Sequence, residues 1–214
     1  DRLTLDDPVC GLMARDDASG ALQGFVCVVR FSSWQRSLRF DSSLPQSWGI
    51  HGVARDAVLK ERRDATGAMA MAIEAQPRAT PDGWTGSRVA WPTLAEISLL
   101  GGLRCGGHLL RRAIEALEAG EFGEGYEFCV LHATKGAIAF YERFGFVRVG
   151  AVARMGDHSE LPFIAYRHWS DRAGDHEEAS YMMARPLGAH ARGALGDVGR
   201  ASSPLGEACL EEAK

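Results

Sequence analysis

Three groups of side chains in this chain have types and spacings that suit chemistry. The first is the run Gly101-Gly102-Leu103-Arg104-Cys105-Gly106-Gly107, set between an apolar strand-like segment and a helix-like one. Glycines there let backbone N–H groups approach a ligand, and a helix start favours negative charge, so the turn suits a phosphate or diphosphate. Arg104 adds a guanidinium able to make a charge-assisted bond to it. The same glycines also serve a plain tight strand-to-helix connection. The second is Tyr141, on a short helix-like segment. Its phenol, with an ordinary pKa of about 10, can protonate a leaving thiolate whose own value is near 8.5, or it can be a packed core aromatic. The third is a set of candidate bases: Glu96 on the strand before the turn, and His132 at the end of the next strand. Glu96 reads equally as a strand-surface carboxylate or an ion-pair partner, and His132 as a structural histidine. His108, in the first turn of the helix, faces phosphate or solvent.

These residues need elements to hold them. Residues 93–100 read as a strand and residues 107–119 as a helix, with Leu109, Leu110, Ala113, Ile114 and Leu117 on one face. Residues 126–132 form the next strand. Thr134 is the expected N-cap of a helix over 135–144, and Gly145 its terminator. Upstream, residues 8–31 read as a hairpin: Val9–Ala14, a turn rich in Asp, Ser and Gly, then Leu22–Phe31. Residues 32–54 are irregular and aromatic, 55–76 are expected to be helical with Gly67 weakening the middle, and 77–86 are a loop. Within that helix Glu61-Arg62-Arg63-Asp64 reads as a solvated face. Further strands are expected at 146–153, 163–169 and 180–187, and residues 188–214, rich in Gly, Ala and Ser, as a mobile tail.

Composition bounds the function class. The 214 residues are 46% hydrophobic and 24% charged, the balance of an ordinary globular protein with one substantial core. A net charge of −4 leaves no basic footprint for nucleic acid or an anionic membrane as the main partner. No run of 18 or more apolar residues exists. The cysteines Cys10, Cys27, Cys105, Cys129 and Cys209 lie far apart, with no zinc spacing and no adjacent His–Asp or His–Asn arrangement that marks a nucleophile. A reducing, intracellular compartment is expected, most simply the cytoplasm. Opening at Asp1, the chain reads as an excised fragment. The aromatics Trp34, Phe40, Trp48, Trp84 and Trp91 read as a local packed cluster or as the lining of a pocket.

The order strand, glycine turn, helix, strand, then Thr134-x-x-Ala137-x-x-x-Tyr141-Glu142-x-x-Gly145-Phe146, resembles the GNAT superfamily of N-acetyltransferases. In that family the second helix typically reads N-x-x-A-x-x-x-Y-E-x-x-G-F and the turn R/Q-x-x-G-x-G/A. Aligned on Leu109-Leu110, the turn has Gly106 at the last glycine, Arg104 where a glycine is usual and Gly101 where the basic residue is. A second alignment takes Arg104 as the basic residue and Gly107 as the first glycine. The hairpin 8–31 resembles the family's second and third strands and Ser180–Leu187 its closing strand. Some 110 residues are covered. The family's first strand and first two helices have no counterpart here, and residues 32–86 are an insertion.

What the resemblance implies is an α/β (α+β) domain over residues 1–187, with a mixed, mainly antiparallel sheet flanked by helices and splayed central strands. It implies acetyl-CoA as acyl donor, held by Leu99, Leu100, Gly101, Gly102, Leu103, Arg104, Cys105, Gly106, Gly107, Thr134, Ala137 and Tyr141. The acetyl group would pass to a primary amine by direct attack, with Glu96 or a water relay taking its proton, Tyr141 as acid and no metal; His132 is the second candidate base, by its place at the end of the next strand. The alternative is a catalytically inactive acyl-CoA-binding or interaction module on the same fold. The acceptor itself stays open among small amines, peptide N-termini and lysines.

Overall fold

Two long strands meet first. β1 (Pro8–Arg15) and β2 (Leu22–Ser33) pair antiparallel, with Leu12 opposite Val26 and Met13 opposite Phe25. Their turn is held by Asp16, whose Oδ1 accepts the Ser19 amide at 2.8 Å and the Ser19 hydroxyl at 2.6 Å, while Gly20 takes φ 68°. These bonds favour the ionised carboxylate and lower its pKa. The computed structural model describes residues 8–44, 63–80, 89–123, 125–154, 160–166 and 180–188.

β4 (Val89–Gly102) pairs antiparallel with β2, then the chain crosses through α2 (Gly106–Glu118) to β5 (Phe128–Thr134), which lies parallel to β4. A 3₁₀ turn (Lys135–Ala137) and α3 (Ile138–Glu142) lead to β6 (Val147–Arg148). β9 (Ser180–Pro186) is sandwiched antiparallel between β5 and β6, so the sheet order is β1-β2-β4-β5-β9-β6. A smaller sheet joins β3 (Arg39–Phe40), β7 (Ala151–Ala153) and β8 (Ile164–Ala165) in the order β3-β7-β8. The architecture is mixed α+β: a mainly antiparallel sheet flanked by helices, with one parallel pair at its centre.

The strand period of two gives the large sheet two buried faces. Val26, Val28, Ala95, Ile97, Cys129, Leu131 and Met183 pack against Leu109, Leu110, Ala113, Ile114 and Leu117 of α2, the helix face expected from spacing. Phe31, Leu94, Phe128, Val130, Met182 and Ala184 point the other way, toward the small sheet and α1 (Ala68–Glu74). Phe31, Phe40 and Trp91 form a ring cluster there, with centroids 5.2–6.3 Å apart. Trp34 stays exposed, and Trp48 and Trp84 lie outside the described residues.

Three local expectations are revised. The continuous helix over 55–76 is not formed: of its described part only α1 is helical, and Gly67, at φ 75°, is the N-cap rather than a weak middle. Asp64 is not on a solvated face but 7% exposed. Its carboxylate accepts the Met69 amide at 3.1 Å, the Ala70 amide at 2.8 Å and the Ser42 hydroxyl at 2.8 Å, which satisfies the donors at the start of α1. Arg63 is half-buried and bridges Arg148. The single strand over 146–153 is two strands in two sheets, because at Val149 and Gly150 the chain swaps partners: the Val149 amide donates to Met182 O at 3.0 Å, and Gly150 O accepts from the Asp41 amide at 2.8 Å. Of the strand expected at 163–169, Ile164–Ala165 is strand and 167–169 lie outside the described residues, as do 189–214.

Candidate functional site

The glycine turn sits between the end of β4 and the first turn of α2. Its glycines answer to different neighbours. A Cβ on Gly101 would come within 3.2 Å of the Phe25 ring; one on Gly102 would meet the Gly106 amide at 2.9 Å and Cys105 Sγ at 3.0 Å. A Cβ on Gly107 would press on Phe144 Cζ at 3.3 Å, so this glycine lets α2 approach α3. Gly106 alone of the four faces open space. Cys105 is the N-cap of α2, yet no side chain caps that end. The Cys105 thiol points back into the hairpin and donates to Gln23 O at 3.2 Å, in the role of a packing residue. The amides of the first helical turn are therefore left without a protein side-chain acceptor at the N-cap, beside an exposed stretch Gly102-Leu103-Arg104.

Arg104 is the one described non-glycine residue with positive φ, at 67°. This is the position where alignment on Leu109-Leu110 expects a glycine, and the left-handed backbone supplies the reason: that conformation costs a residue with a Cβ roughly 1–2 kcal/mol. The turn keeps its shape with arginine and carries the strain.

Between β4 and β5 the sheet opens. Pairing runs from Leu94–Phe128 to Ile97–Leu131 and stops, although β4 continues to Gly102 and β5 to Thr134. The β2–β4 register explains where: Cys27 faces Leu99 but Val28 faces Ile97, so Ser98 is an extra residue in β4. Such a bulge bends its strand and raises the local twist. From Ser98 to Gly102 the β5-facing edge of β4, including Leu99 and Leu100, has no ladder with β5.

The three proton-transfer candidates lie on two faces of the sheet. Glu96 lies at the last-but-one paired position, opposite Val29 in β2 and Val130 in β5, and is 4% exposed. By strand alternation it shares the face of Leu94 and Val130, away from α2. His132 is on that same face, half-buried, its ring 5.7 Å from that of Tyr166. Tyr141 is on the opposite face, where α3 packs with Phe140 and Phe144 against the α2-side core. Its ring is held edge-on by Phe140 at 5.1 Å and Phe146 at 6.0 Å. Burial raises the phenol above its ordinary value of 10.0, further from neutral pH.

α3 owes its position to two devices. Gly145, at φ 81°, closes it: the Gly145 amide donates to Glu142 O at 3.1 Å and the Phe146 amide to Tyr141 O at 3.3 Å, the paired bonds of a Schellman turn. Arg185 on β9 donates to Phe144 O at 2.7 Å and to Glu118 Oε1 at 2.8 Å, tying the ends of α2 and α3 to the sheet. Thr134 occupies the expected N-cap position, extended at ψ 159°, without a side-chain cap bond. It and the following Lys135 and Gly136 are exposed, and Ala137 packs on the core.

Two contributors escape a linear reading. Gly24 is needed where the turn folds onto β2, since a Cβ there would meet Cys105 Sγ at 2.5 Å and Gly101 O at 2.8 Å. The bulge at Ser98 is the other; its one local sign is Leu99-Leu100, two large apolar residues in succession that break the strand alternation. Among the described residues no group of three His, Cys, Asp or Glu is gathered as a metal site, and no helix is long and apolar enough to cross a membrane.

No protein-family model matches this chain, and no curated protein does. Among solved structures, a bacterial toxin is similar at 16% identity and TM-score 0.39, over 85% of this chain and 68% of the toxin. Tetrahymena GCN5 is similar at 10% identity and TM-score 0.34, over 83% of this chain and 67% of that one. At those scores neither likeness identifies a family.

Proposed function

We propose that this chain is an acyltransferase that moves an acetyl group from acetyl-CoA to a primary amine by direct attack, with residues 1–187 as its acetyltransferase domain. The observation that carries the reading is the parted β4–β5 pair, with Glu96 and His132 on one face and Tyr141 on the other. An opening through the sheet lets a thioester lie between a base and an acid that never touch each other.

The donor's diphosphate would lie over residues 101–107, at the uncapped start of α2, with Gly106 giving it room and Arg104 a cation. Leu99 and Leu100 would offer main-chain groups to the pantetheine arm along the unpaired edge of β4, and Thr134 and Ala137 would border it across the opening. On the acceptor side the amine, charged in water with a pKa of about 10.4, must lose a proton before it can attack. Glu96 takes that proton, directly or through a water, and His132 is the second group on the same face able to do so. As the C–S bond breaks, Tyr141 donates its proton to the departing sulfur. The phenol's raised pKa suits a group that must be protonated at the start of each turnover. Cys129, with burial pushing its thiol up to about 12, is no nucleophile, in keeping with direct transfer.

Calorimetric titration with acetyl-CoA, paired with a thiol-release assay over a panel of primary amines, tests the proposal. Binding followed by amine-dependent thiol release is expected. Binding without release from any amine would make the chain an acyl-CoA-binding module, and absence of binding would overturn both readings.

A further inference from the structure

The outer face of the small sheet carries two arginines held against one ring. Phe40, Ala151 and Ala153 point into the core beneath, so strand alternation turns Arg39, Val152 and Arg154 outward. One position beyond the Ala153–Ile164 pair, the β7–β8 register brings Phe163 to Arg154. The guanidinium carbon of Arg39 is 4.2 Å from the centre of the Phe163 ring, and that of Arg154 is 4.4 Å from it. The backbone fixes this arrangement. Arg39 lies opposite Val152 in the β3–β7 ladder, and the Arg154 amide donates to Ser37 Oγ at 2.9 Å.

The pair lacks acceptors. The Nε of each arginine is buried without a hydrogen-bond partner. Among the described residues Arg39 has one carboxylate, that of Asp41 at 3.5 Å, and Arg154 has none. Asp41 Oδ1 is already engaged by the Ser43 amide at 3.0 Å. Glu160, exposed three residues before Phe163, makes no ion pair with either arginine. Two cations that share a ring repel each other, and a single carboxylate leaves one positive charge over. The Arg39 side chain is 40% exposed and Arg154 is half-buried, so a ligand can reach them from solvent. The place is remote from the glycine turn. Phe40 packs on Trp91 with ring centres 6.3 Å apart, and from Trp91 to Gly101 β4 runs for about 30 Å.

We infer that Arg39 and Arg154 form a binding site for a carboxylate, borne by a small organic acid or by an acidic side chain of a peptide. A carboxylate takes parallel N–H bonds from a guanidinium fork, and its single charge matches the one that Asp41 leaves unbalanced. The Nη groups make these bonds, since both Nε atoms are covered. Phe163 holds the forks before the ligand arrives, so less side-chain freedom is lost on binding. The inference stands apart from the acyl-transfer reading.

The arginine Nε–H resonances of the isotope-labelled protein test it, with Arg39→Lys and Arg154→Lys to assign them. Benzoate and, separately, the blocked tripeptide N-acetyl-Ala-Glu-Ala-amide are titrated at constant ionic strength held with sodium chloride. Either probe should move both resonances along one saturating curve, and the tighter one identifies the source of the carboxylate. Arg39→Gln and Arg154→Gln should each weaken binding by about tenfold, the loss of a charge-assisted bond, with the backbone spectrum otherwise retained. Resonances that stay still, or that chloride alone moves as far, would overturn the inference. Inorganic phosphate binding more tightly than both carboxylates would overturn it as well.

Discussion

Replacing Arg104 by glycine should strengthen the fold and weaken the hold on the acyl donor, because backbone and side chain act in opposite senses at this position. At φ 67° the arginine backbone is in the left-handed region. Removing the Cβ relieves roughly 1–2 kcal/mol of steric cost. Glycine's freer unfolded chain offsets about 0.5–1 kcal/mol of that. The net gain is on the order of 0.5–1 kcal/mol, a rise in Tm of about 1–4 °C for a domain of this size. The side chain is exposed, and losing its charge-assisted bond to a phosphate removes about 1.5–3 kcal/mol, or tenfold to hundredfold in donor affinity. Solvent screening places the effect at the lower end in physiological salt. Denaturant unfolding and calorimetry with acetyl-CoA read the two quantities separately. Arg104→Lys should leave stability unchanged, since the strain remains, and retain most of the affinity. Arg104→Asn, which tolerates the left-handed region, should lose affinity as glycine does. A glycine variant less stable than wild type would refute the strain argument. Affinity within twofold of wild type would remove Arg104 from the donor site.

Tyr141→Phe should lower kcat about a hundredfold or more while the KM for acetyl-CoA holds. Because burial raises the phenol's pKa, the wild-type rate should decline only above pH 10.0, and the variant should lack that alkaline limb. Asp64→Ala removes the acceptor of the Met69 and Ala70 amides and the Ser42 hydroxyl, and should cost about 2–4 kcal/mol in denaturant unfolding with little change in kcat of the folded fraction. Cys129 should resist thiol reagents in the native state. With its pKa raised from 9.0 to about 12, the buried neutral thiol contributes fully below pH 9 and loses its contribution as pH rises toward 12. The stability difference between wild type and Cys129→Ala should therefore narrow by roughly 2 kcal/mol from pH 8 to pH 10.5.

Much of this protein is written locally. The helix face Leu109, Leu110, Ala113, Ile114 and Leu117 repeats at the period that puts it on one side of any α-helix, and that face is buried on the sheet. Gly145 after Tyr141-Glu142 announces a left-handed stop, and the chain ends α3 there. The hairpin, the strand before the glycine turn and the strand after α2 are likewise legible, since each is a run of β-forming residues bounded by turn chemistry. Over the described residues 63–76 the expected helix is only partly formed, because apolar spacing cannot see that Gly67 enters the left-handed region or that Asp64 is drawn inward by amides on α1 and by Ser42, twenty-two positions earlier. Sequence thus determined most of the helices and strands and which residue types are present to do chemistry. Tertiary structure alone decided where they lie. The extra residue at Ser98 is defined only against β2, some seventy positions away, and it is there that β4 departs from β5. Which side of the sheet receives Glu96 and His132, and which receives Tyr141, follows from register between strands distant along the chain, and a register shift of one residue would exchange the faces.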